Sequence, residues 1–277
     1  MFQKAVKESR KLRLAIYGVS GSGKTYSALA IASGLGKKIA VIDTERHSAS
    51  LYADDFKFDV ASLDQPTVKN CVAAFKDAKD AGYDVLILDS GSLVWDELLQ
   101  EVDKIAKAKY RGNTFAAWME GTPLQKSFIN GMMDYPGHVI MTMRAATEYD
   151  ITKEDGKNKI EKIGLKPQQR AGVDYEFDVV MRIDSNHLAF VEKSRYKIFQ
   201  DRAVEKPTAE LGTEILTYLK GVEPAPKPKP KSVQEMVDAC KTIEELNKLF
   251  PTLSDEQKAD TKVVEIFKKA KKNLPPA

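Results

Sequence analysis

Residues 18–25 read Gly-Val-Ser-Gly-Ser-Gly-Lys-Thr. The stretch matches the pattern G-x-x-x-x-G-K-[ST] in full, and it lies between an apolar run at residues 12–17 and a helical stretch at residues 24–35. Glycines at these positions let successive backbone N–H groups converge on an anion at the positive end of the helix. The sequence therefore predicts a phosphate-binding loop, called the P-loop below; the alternative is a Gly-Ser turn that precedes a helix. The residues expected to contact the phosphates are Gly18, Ser20, Gly21, Ser22, Gly23, Lys24 and Thr25.

Three side chains are candidates for phosphate chemistry. Lys24 is expected to reach the β- and γ-phosphate oxygens during catalysis, and the Thr25 hydroxyl is expected to ligate Mg²⁺. Asp89 ends the apolar run Val85–Asp89, so we expect it to hold the same ion through water. Many parallel strands end in Asp, and the assignment gains its weight from the P-loop upstream. The predicted cofactors are ATP and Mg²⁺.

Apolar runs alternate with helical stretches through the first two thirds of the chain. Because strand–helix alternation places helices over both faces of a parallel sheet, we predict an α/β fold with a mostly parallel sheet. Two consecutive runs at residues 175–184 and 187–192 predict antiparallel strands at its end. The predicted strands are residues 12–17, 38–43, 85–89, 138–143 and 177–183, and the predicted helices are residues 24–35, 67–81 and 122–135.

A stretch of alternating Pro and Lys marks the clearest boundary in the chain. Residues 221–231 read Gly-Val-Glu-Pro-Ala-Pro-Lys-Pro-Lys-Pro-Lys, which predicts a stiff, solvated linker. Residues 1–220 are then the α/β core. Residues 232–277 show apolar residues at helical spacing, which predicts a small all-α module of the kind that binds partners.

Composition excludes several classes of protein. No apolar run approaches the ~18 residues that cross a bilayer, so we expect no membrane segment and a cytoplasmic setting. The two cysteines, Cys71 and Cys240, fall in different predicted domains, which argues against a disulfide framework. A net charge of +3 is too small to indicate a nucleic-acid partner without local clustering.

The second predicted strand ends in Asp43 and is followed by Thr44-Glu45, and here the chain resembles the RecA-like P-loop ATPases. The resemblance is greatest to phage-encoded RecA-like single-strand annealing recombinases, which share similar G-x-S-G-S-G-K-T, I-D-T-E and M-R-x-x-T-E-Y stretches; the last is residues 143–149 here. It implies an oligomeric ATPase, a ring or a filament, that binds single-stranded DNA in the cytoplasm of a host cell.

The resemblance also implies roles for particular residues. Glu45 would activate the water that attacks the γ-phosphate, and Tyr52 would stack on adenine or, alternatively, pack on the sheet. Arg144 follows the strand that carries a γ-phosphate sensor. The usual sensor is Gln, and this chain offers Thr142, Met143 and Arg144 in its place. Lys193 and Arg195 would reach the nucleotide of a neighbouring subunit; the alternative is a surface pair.

Two basic stretches are candidates for DNA contact. Lys107, Lys109, Tyr110 and Arg111 combine cations with an aromatic ring, which is typical of single-strand binders. Residues 109–115 fall where the first DNA-binding loop of the resembled family lies. The second stretch follows the predicted γ-phosphate sensor and would form a hairpin carrying Lys157, Lys159 and Lys162. A solvated helix face and a solvated loop are the respective alternatives.

Phe2 and Ala5 resemble an F-x-x-A element through which some RecA-like recombinases polymerise, and a frayed terminus is the alternative. Two other functions share the predicted fold. One is a P-loop motor such as a helicase or a packaging ATPase. The other is a nucleotide-switched module in which residues 232–277 recruit a single-strand binding protein or an exonuclease.

Overall fold

The structure is a computed structural model that describes residues 9–154, 157–220, 233–238, 240, 242–253, 258 and 260–273. Within these ranges the structure describes the backbone but not the side chains of residues 149–163, 235, 236, 261, 262, 264, 272 and 273. The chain divides into two compact units, Met1–Val222 and Glu223–Ala277.

The first unit alternates strands and helices along most of its length. Its strands are β1 (Arg13–Gly18), β2 (Ile39–Asp43), β3 (Asp59–Ser62), β4 (Val85–Asp89), β5 (His138–Glu154), β6 (Lys157–Pro167), β7 (Val179–Ile183), β8 (Leu188–Ser194) and β9 (Ala203–Glu205). Its helices are α1 (Lys24–Leu35), α2 (Val68–Asp80), α3 (Gly91–Lys109), α4 (Thr114–Met133) and α5 (Ala209–Leu219). The second unit contains α6 (Val233–Asp238), α7 (Ile243–Leu249) and α8 (Thr261–Asn273).

The strands form one sheet in the order β3-β2-β4-β5-β1-β7-β8-β9, and β6 pairs with β5. All pairs from β3 to β7 along this order are parallel, whereas β8 and β9 continue antiparallel and β5 and β6 form an antiparallel hairpin. The predicted α/β class, with antiparallel strands at the end, is confirmed. Because β1 is central, the loop that follows it opens at the carboxyl edge of the parallel strands, where ligands bind in open α/β sheets.

Two apolar clusters cover the two faces of the sheet. Helices α2, α3 and α4 bury residues such as Phe75, Val102 and Phe128 on one face, and α1 and α5 bury Leu29 and Ile215 on the other. The buried positions of α2 and α5 recur at helical spacing, so these helices each present one apolar stripe to the strands, whereas α1 is buried over six consecutive residues, 27–32. Helices therefore lie on both faces, as predicted from strand–helix alternation.

The region between β4 and β5 differs from the sequence prediction. Helix α3 was not predicted, and α4 begins at Thr114 rather than at residue 122. The Asn113 side chain caps α4 by accepting a 3.1 Å hydrogen bond from Ala116 N. Pro123 lies inside α4, although proline is more common in the first turn of a helix.

The edge strand β3 also escaped prediction, because its four residues are mostly exposed and carry little apolar pattern. A groove of about 480 Å³ lies between this edge and α2. Small side chains form much of its floor, including Ala73, Ala74 and Ala78, and Val60 on the strand itself is 41% exposed.

The second unit has its own small core. Val237, Leu246 and Val263 come from α6, α7 and α8, and Phe267 packs edge-on against Phe250 with 5.0 Å between ring centroids. In the part of the chain that the structure describes, no helix is both long and apolar enough to cross a membrane.

His138 begins β5 as a buried histidine, with 2% of its surface exposed. Its Nδ1 atom accepts a 3.0 Å hydrogen bond from the backbone N–H of Leu12, which ties the chain before β1 to β5. Burial, together with the charges of Lys11 and Arg13, lowers the pKa of His138 to about 4. The neutral ring is therefore part of the folded structure.

A lowered pKa in the folded state makes stability depend on pH. The unfolded chain binds the proton near pH 6.5 and the folded chain near pH 4, so the contribution of His138 is complete above pH 6.5 and is lost as the pH falls toward 4. We expect His138→Asn, whose amide oxygen can accept the same bond, to reduce the loss of stability between pH 7.5 and 4.5 by about 2.5 kcal/mol. Urea denaturation at both pH values measures this, with exposed His47→Asn as the control. An unchanged pH dependence in His138→Asn would contradict the assignment.

Candidate active site

The P-loop joins β1 to α1 at the centre of the sheet. Gly18 is paired in register with Arg144 on β5 and Ile183 on β7, so the loop starts between two strands. A Cβ atom on Gly18 would lie 2.4 Å from the carbonyl oxygen of Ile183. Gly21 and Gly23 have φ of 75° and 87°, in the left-handed region that favours glycine. The loop therefore requires glycine for two separate reasons, close approach and backbone conformation.

Lys24 opens α1 and points back along the P-loop. Its Nζ atom donates a 2.9 Å hydrogen bond to the carbonyl oxygen of Val19. Burial lowers the pKa of Lys24, and the carboxylates of Glu45 and Asp89 oppose the shift. The ammonium group thus lies in a partly buried position where two acids favour its charge.

Asp89 ends β4 with its side chain almost fully buried, at 1% exposure. Thr25 Oγ1 donates to its Oδ2 atom at 2.7 Å, and the Thr142 hydroxyl donates to Oδ1. Burial raises the pKa of Asp89, while these two hydrogen bonds oppose the shift. The carboxylate holds together the start of α1, the end of β4 and the middle of β5.

The side chains of Thr25 and Asp89 fit a hard divalent cation. A hydroxyl and a carboxylate are oxygen ligands of the kind that Mg²⁺ prefers, and their 2.7 Å separation would let both face one ion. Among the residues that the structure describes, no group of three or more His, Cys, Asp or Glu could hold a metal. A Mg²⁺ ion here would take its remaining ligands from phosphate and water.

Glu45 is held at the carboxyl end of β2 by a turn. The Asp43 carboxylate accepts from the backbone N–H groups of Glu45 at 2.6 Å and Ala49 at 2.9 Å. Thr44 ties this turn to the neighbouring strand, because its hydroxyl accepts from Ser90 N at 2.8 Å. These bonds bring Glu45 beside the end of β4.

The Glu45 carboxylate is paired with an arginine. Its Oε1 atom accepts from Arg144 Nε at 3.0 Å, from Arg144 Nη2 at 2.9 Å and from Ser90 Oγ at 3.1 Å. Arg144 lies 99 positions later in the chain, on β5. The predicted general base and the predicted sensor are thus in direct contact.

A cavity of about 900 Å³ opens over the P-loop, large enough for a nucleotide. Nine of its lining residues were predicted site residues: Gly18, Ser20, Gly21, Gly23, Lys24, Thr25, Glu45, Tyr52 and Arg144. Ser22 does not line the cavity. Its hydroxyl is buried beneath the loop and has no hydrogen-bond partner among the described residues.

Aromatic side chains form one wall of the cavity. Tyr52, predicted to contact the base, meets Tyr26 edge-on with 6.0 Å between ring centroids, and Tyr26 also meets Phe56 at 5.1 Å. Tyr26 was not predicted, although it follows Thr25 directly in the sequence. Its 45% exposure leaves it accessible for stacking.

Distant segments supply the other residues that sequence reasoning missed. His187, in the turn between β7 and β8, contacts the P-loop through Nδ1 and the carbonyl oxygen of Ser22 at 3.0 Å. Lys206 and Gln168 line the same cavity. The Gln168 amide donates to both carboxylate oxygens of Asp96, at 3.0 and 3.2 Å. No local motif marks these positions, because only the folded chain brings them to the P-loop.

Lys193 and Arg195 do not line the cavity. Both reach the segment before β7: Lys193 Nζ donates to the carbonyl oxygen of Phe177 at 3.0 Å, and Arg195 Nη1 pairs with Asp178 at 3.2 Å. Burial and the charge of Arg195 lower the pKa of Lys193. The two cations therefore share one side of the unit, together with the 72% exposed ring of Tyr175.

The first predicted DNA-binding stretch lies partly in a helix. Lys107 and Lys109 belong to the last turn of α3, and residues 110–113 connect α3 to α4. The prediction of a loop over residues 109–115 is therefore wrong for Lys109 and for residues 114 and 115, which begin α4. Glu120 binds Lys109 Nζ at 2.7 Å and Tyr110 Oη at 3.1 Å. Arg111, with a φ of 52°, forms the turn itself.

Other predicted residues lie outside the description. The hairpin of β5 and β6 is present as predicted, but the side chains of Lys157, Lys159 and Lys162 are not described. Phe2, Ala5 and the linker at residues 221–231 lie outside the described residues. Their roles stay predictions.

Comparison with known proteins agrees with the P-loop geometry. Residues 10–205, more than half of the chain, match a family model described as AAA domain. A search of the curated proteins found no match. Among solved structures, the chain is similar to a prototypical ATPase from the type III secretion system of pathogenic bacteria, with a TM-score of 0.35 and 12% identity over 97% of this chain and 88% of that chain.

The two reasons for glycine in the P-loop have different energetic consequences. We expect Gly18→Ala to lower the free energy of unfolding by about 2–3 kcal/mol, because the new methyl group meets a backbone carbonyl that cannot move aside. Gly21→Ala has open space around it, so only the left-handed backbone costs energy, about 1 kcal/mol. Urea denaturation of both variants compares the two. A smaller loss for Gly18→Ala than for Gly21→Ala would refute the close-approach argument.

Proposed function

We propose that this chain, which belongs to the AAA domain family, uses ATP to bind single-stranded DNA as an oligomer and to anneal complementary strands. Its ATPase character follows from the family and from the P-loop. The DNA role rests on the resemblance to phage-encoded RecA-like annealing recombinases, and the setting that goes with it is the cytoplasm of a host cell. The observation that carries the proposal is the position of Glu45, which lines the P-loop cavity together with Lys24 and Thr25 and accepts a hydrogen bond from Ser90, the residue after Asp89.

The proposed chemistry assigns one task to each acid and to the lysine. Lys24 neutralises the charge on the β- and γ-phosphate oxygens, which grows as the bond to the leaving phosphate breaks. Glu45 accepts a proton from the attacking water. Thr25 and Asp89 would hold Mg²⁺, which supplies charge neutralisation at the phosphates when bound.

The base of the nucleotide has a suitable wall in Tyr26 and Tyr52. Tyr52 lines the cavity beside Leu51, so an adenine ring would stack on an aromatic face at the outer end of the cavity. Ala49 is buried behind it and offers no side-chain hydrogen bond. We therefore assign Tyr52 to base stacking rather than to base selection.

Two features support a single-stranded DNA ligand. The start of α4 exposes Phe115 at 89% and Met119 at 75%, and it follows the last turn of α3, which carries Lys107, and the turn at Arg111. Exposed stacking surfaces beside cations suit unpaired bases and phosphates. The hairpin of β5 and β6 begins at Arg144 and Ala145 in the cavity wall, so a ligand bound along it would be linked to the nucleotide.

The proposed oligomer is head to tail. Lys193 and Arg195 lie together away from their own cavity, where they could enter the cavity of a neighbour. We place the docking site for Phe2 and Ala5 of another copy in the groove beside β3. An edge strand can form backbone hydrogen bonds with a second chain, and alanine side chains form much of the groove floor. A heterologous contact of this kind builds a ring or a filament.

The second compact unit supports recruitment as an added task. It has its own apolar core, and within its described residues there is no cluster of metal-ligating side chains. We propose that residues 232–277 bind a single-strand binding protein or an exonuclease and so bring the ATPase to its DNA.

The proposal predicts ATP hydrolysis that single-stranded DNA stimulates, together with annealing of complementary oligonucleotides. Steady-state phosphate release with and without DNA, and a fluorescence annealing assay, measure the two activities. Lys24→Ala should lower hydrolysis by on the order of 10²-fold or more, because an unneutralised phosphate charge remains in the transition state. If single-stranded DNA does not change the rate of hydrolysis and the protein does not anneal oligonucleotides, the DNA role is refuted and the ATPase assignment stands.

A head-to-tail oligomer predicts complementation between two inactive variants. Glu45→Gln lacks the base, and Arg195→Ala lacks the cation offered to its neighbour. Mixed subunits should recover about a quarter of wild-type hydrolysis, because one interface type in four pairs an intact Glu45 with an intact Arg195. Phosphate release from mixtures shown to co-assemble is the measurement, and each variant alone is the control. Mixtures as inactive as their components would exclude action in trans.

A further inference from the structure

One oxygen atom of Glu45 carries three hydrogen bonds. Oε1 accepts from Nε and Nη2 of Arg144 and from Ser90 Oγ, at 2.9–3.1 Å. A carboxylate that acts as a base must first accept a hydrogen bond from the attacking water, and three donors already occupy this oxygen of Glu45. The pairing therefore opposes the proton transfer that Glu45 is proposed to perform.

The backbone of Arg144 is fixed while its side chain extends into the cavity. Its N–H donates to Ser92 Oγ at 2.9 Å, and its carbonyl oxygen accepts from Gln168 N at 2.8 Å. Its side chain is 45% exposed and lines the cavity. A long side chain on a rigid strand can leave Glu45 by rotation alone, without moving the sheet.

We propose that Arg144 is a positioning residue that restrains Glu45: while the guanidinium is paired with the carboxylate, hydrolysis is held back, and turnover requires Arg144 to leave. The inference rests on the proposed function, since it takes Glu45 as the base. It changes the role that the sequence predicted for Arg144. A γ-phosphate sensor aids hydrolysis, and its removal lowers turnover, whereas removal of a restraint raises turnover.

The two roles predict opposite changes in kcat when Arg144 is removed, so one assay distinguishes them. In phosphate-release assays without DNA, Arg144→Ala should raise kcat about fivefold, because this factor corresponds to the free energy of a partly exposed ion pair. KM should change by less than about twofold. Arg144→Lys should lie between wild type and Arg144→Ala, because an ammonium restores the charge but not the two parallel N–H donors. Ser90→Ala, which removes the third donor, should raise kcat less than Arg144→Ala does.

A matched control comes from a second arginine pair. Arg182→Ala breaks the 2.7 Å pair with Glu192 on β7 and β8, and neither residue lines the cavity. Its kcat should equal that of the wild type. Binding of a fluorescent, non-hydrolysable ATP analogue should be unchanged within about twofold in Arg144→Ala, which shows that the variant is folded and that the gain lies in turnover.

The double variant Glu45→Gln/Arg144→Ala tests whether the effect passes through Glu45. It should be as inactive as Glu45→Gln alone, because a released amide cannot accept the proton. The inference is overturned if Arg144→Ala lowers kcat or leaves it unchanged, or if the gain persists in the double variant. Full activity of Glu45→Gln alone would instead refute the base assignment within the proposed function.

Discussion

The site depends on the hydrogen bonds that the buried Asp89 carboxylate accepts. A carboxylate at 1% exposure is costly unless its oxygens are bonded, and here one oxygen accepts from Thr25 and the other from Thr142. These bonds join the first turn of α1 to β4 and β5. The P-loop, the candidate metal ligands and the hairpin strand are therefore held in one arrangement by a single side chain.

A second set of bonds places the base beside this centre. Asp43 shapes the turn after β2, and Thr44 ties that turn to Ser90, so that Glu45 reaches the end of β4. Both acids thus come from ends of adjacent parallel strands, where backbone bonds set their separation. The pairing of Glu45 with Arg144 adds β5 to the same centre. Glu45 thus follows β2, Asp89 ends β4 and Arg144 lies on β5, and the P-loop that would bind the phosphates follows β1.

Sequence reasoning succeeded where the signal was local. The P-loop, the strand that ends at Asp89 and the α/β class follow from short patterns of glycine, charge and apolar residues. Contacts across long stretches of chain have no such pattern, so the pairing of Glu45 with Arg144 and the approach of His187 to Ser22 could not be read from the sequence. Helix α3 was not among the predicted helices for another reason: its last lysines favoured DNA contact over the alternative of a solvated helix face, although Val94, Leu98 and Val102 follow the helical period.

Both tryptophans of the chain, Trp95 on α3 and Trp118 on α4, are stacked on each other with 5.8 Å between ring centroids. The guanidinium of Arg170 lies 5.0 Å from the Trp118 ring, two positions after Gln168 in the cavity wall. Indole emission is quenched and shifted by a neighbouring indole and by a nearby cation. A movement of Arg170 or of either ring would therefore change the intrinsic tryptophan fluorescence, which can be recorded in real time without an attached dye.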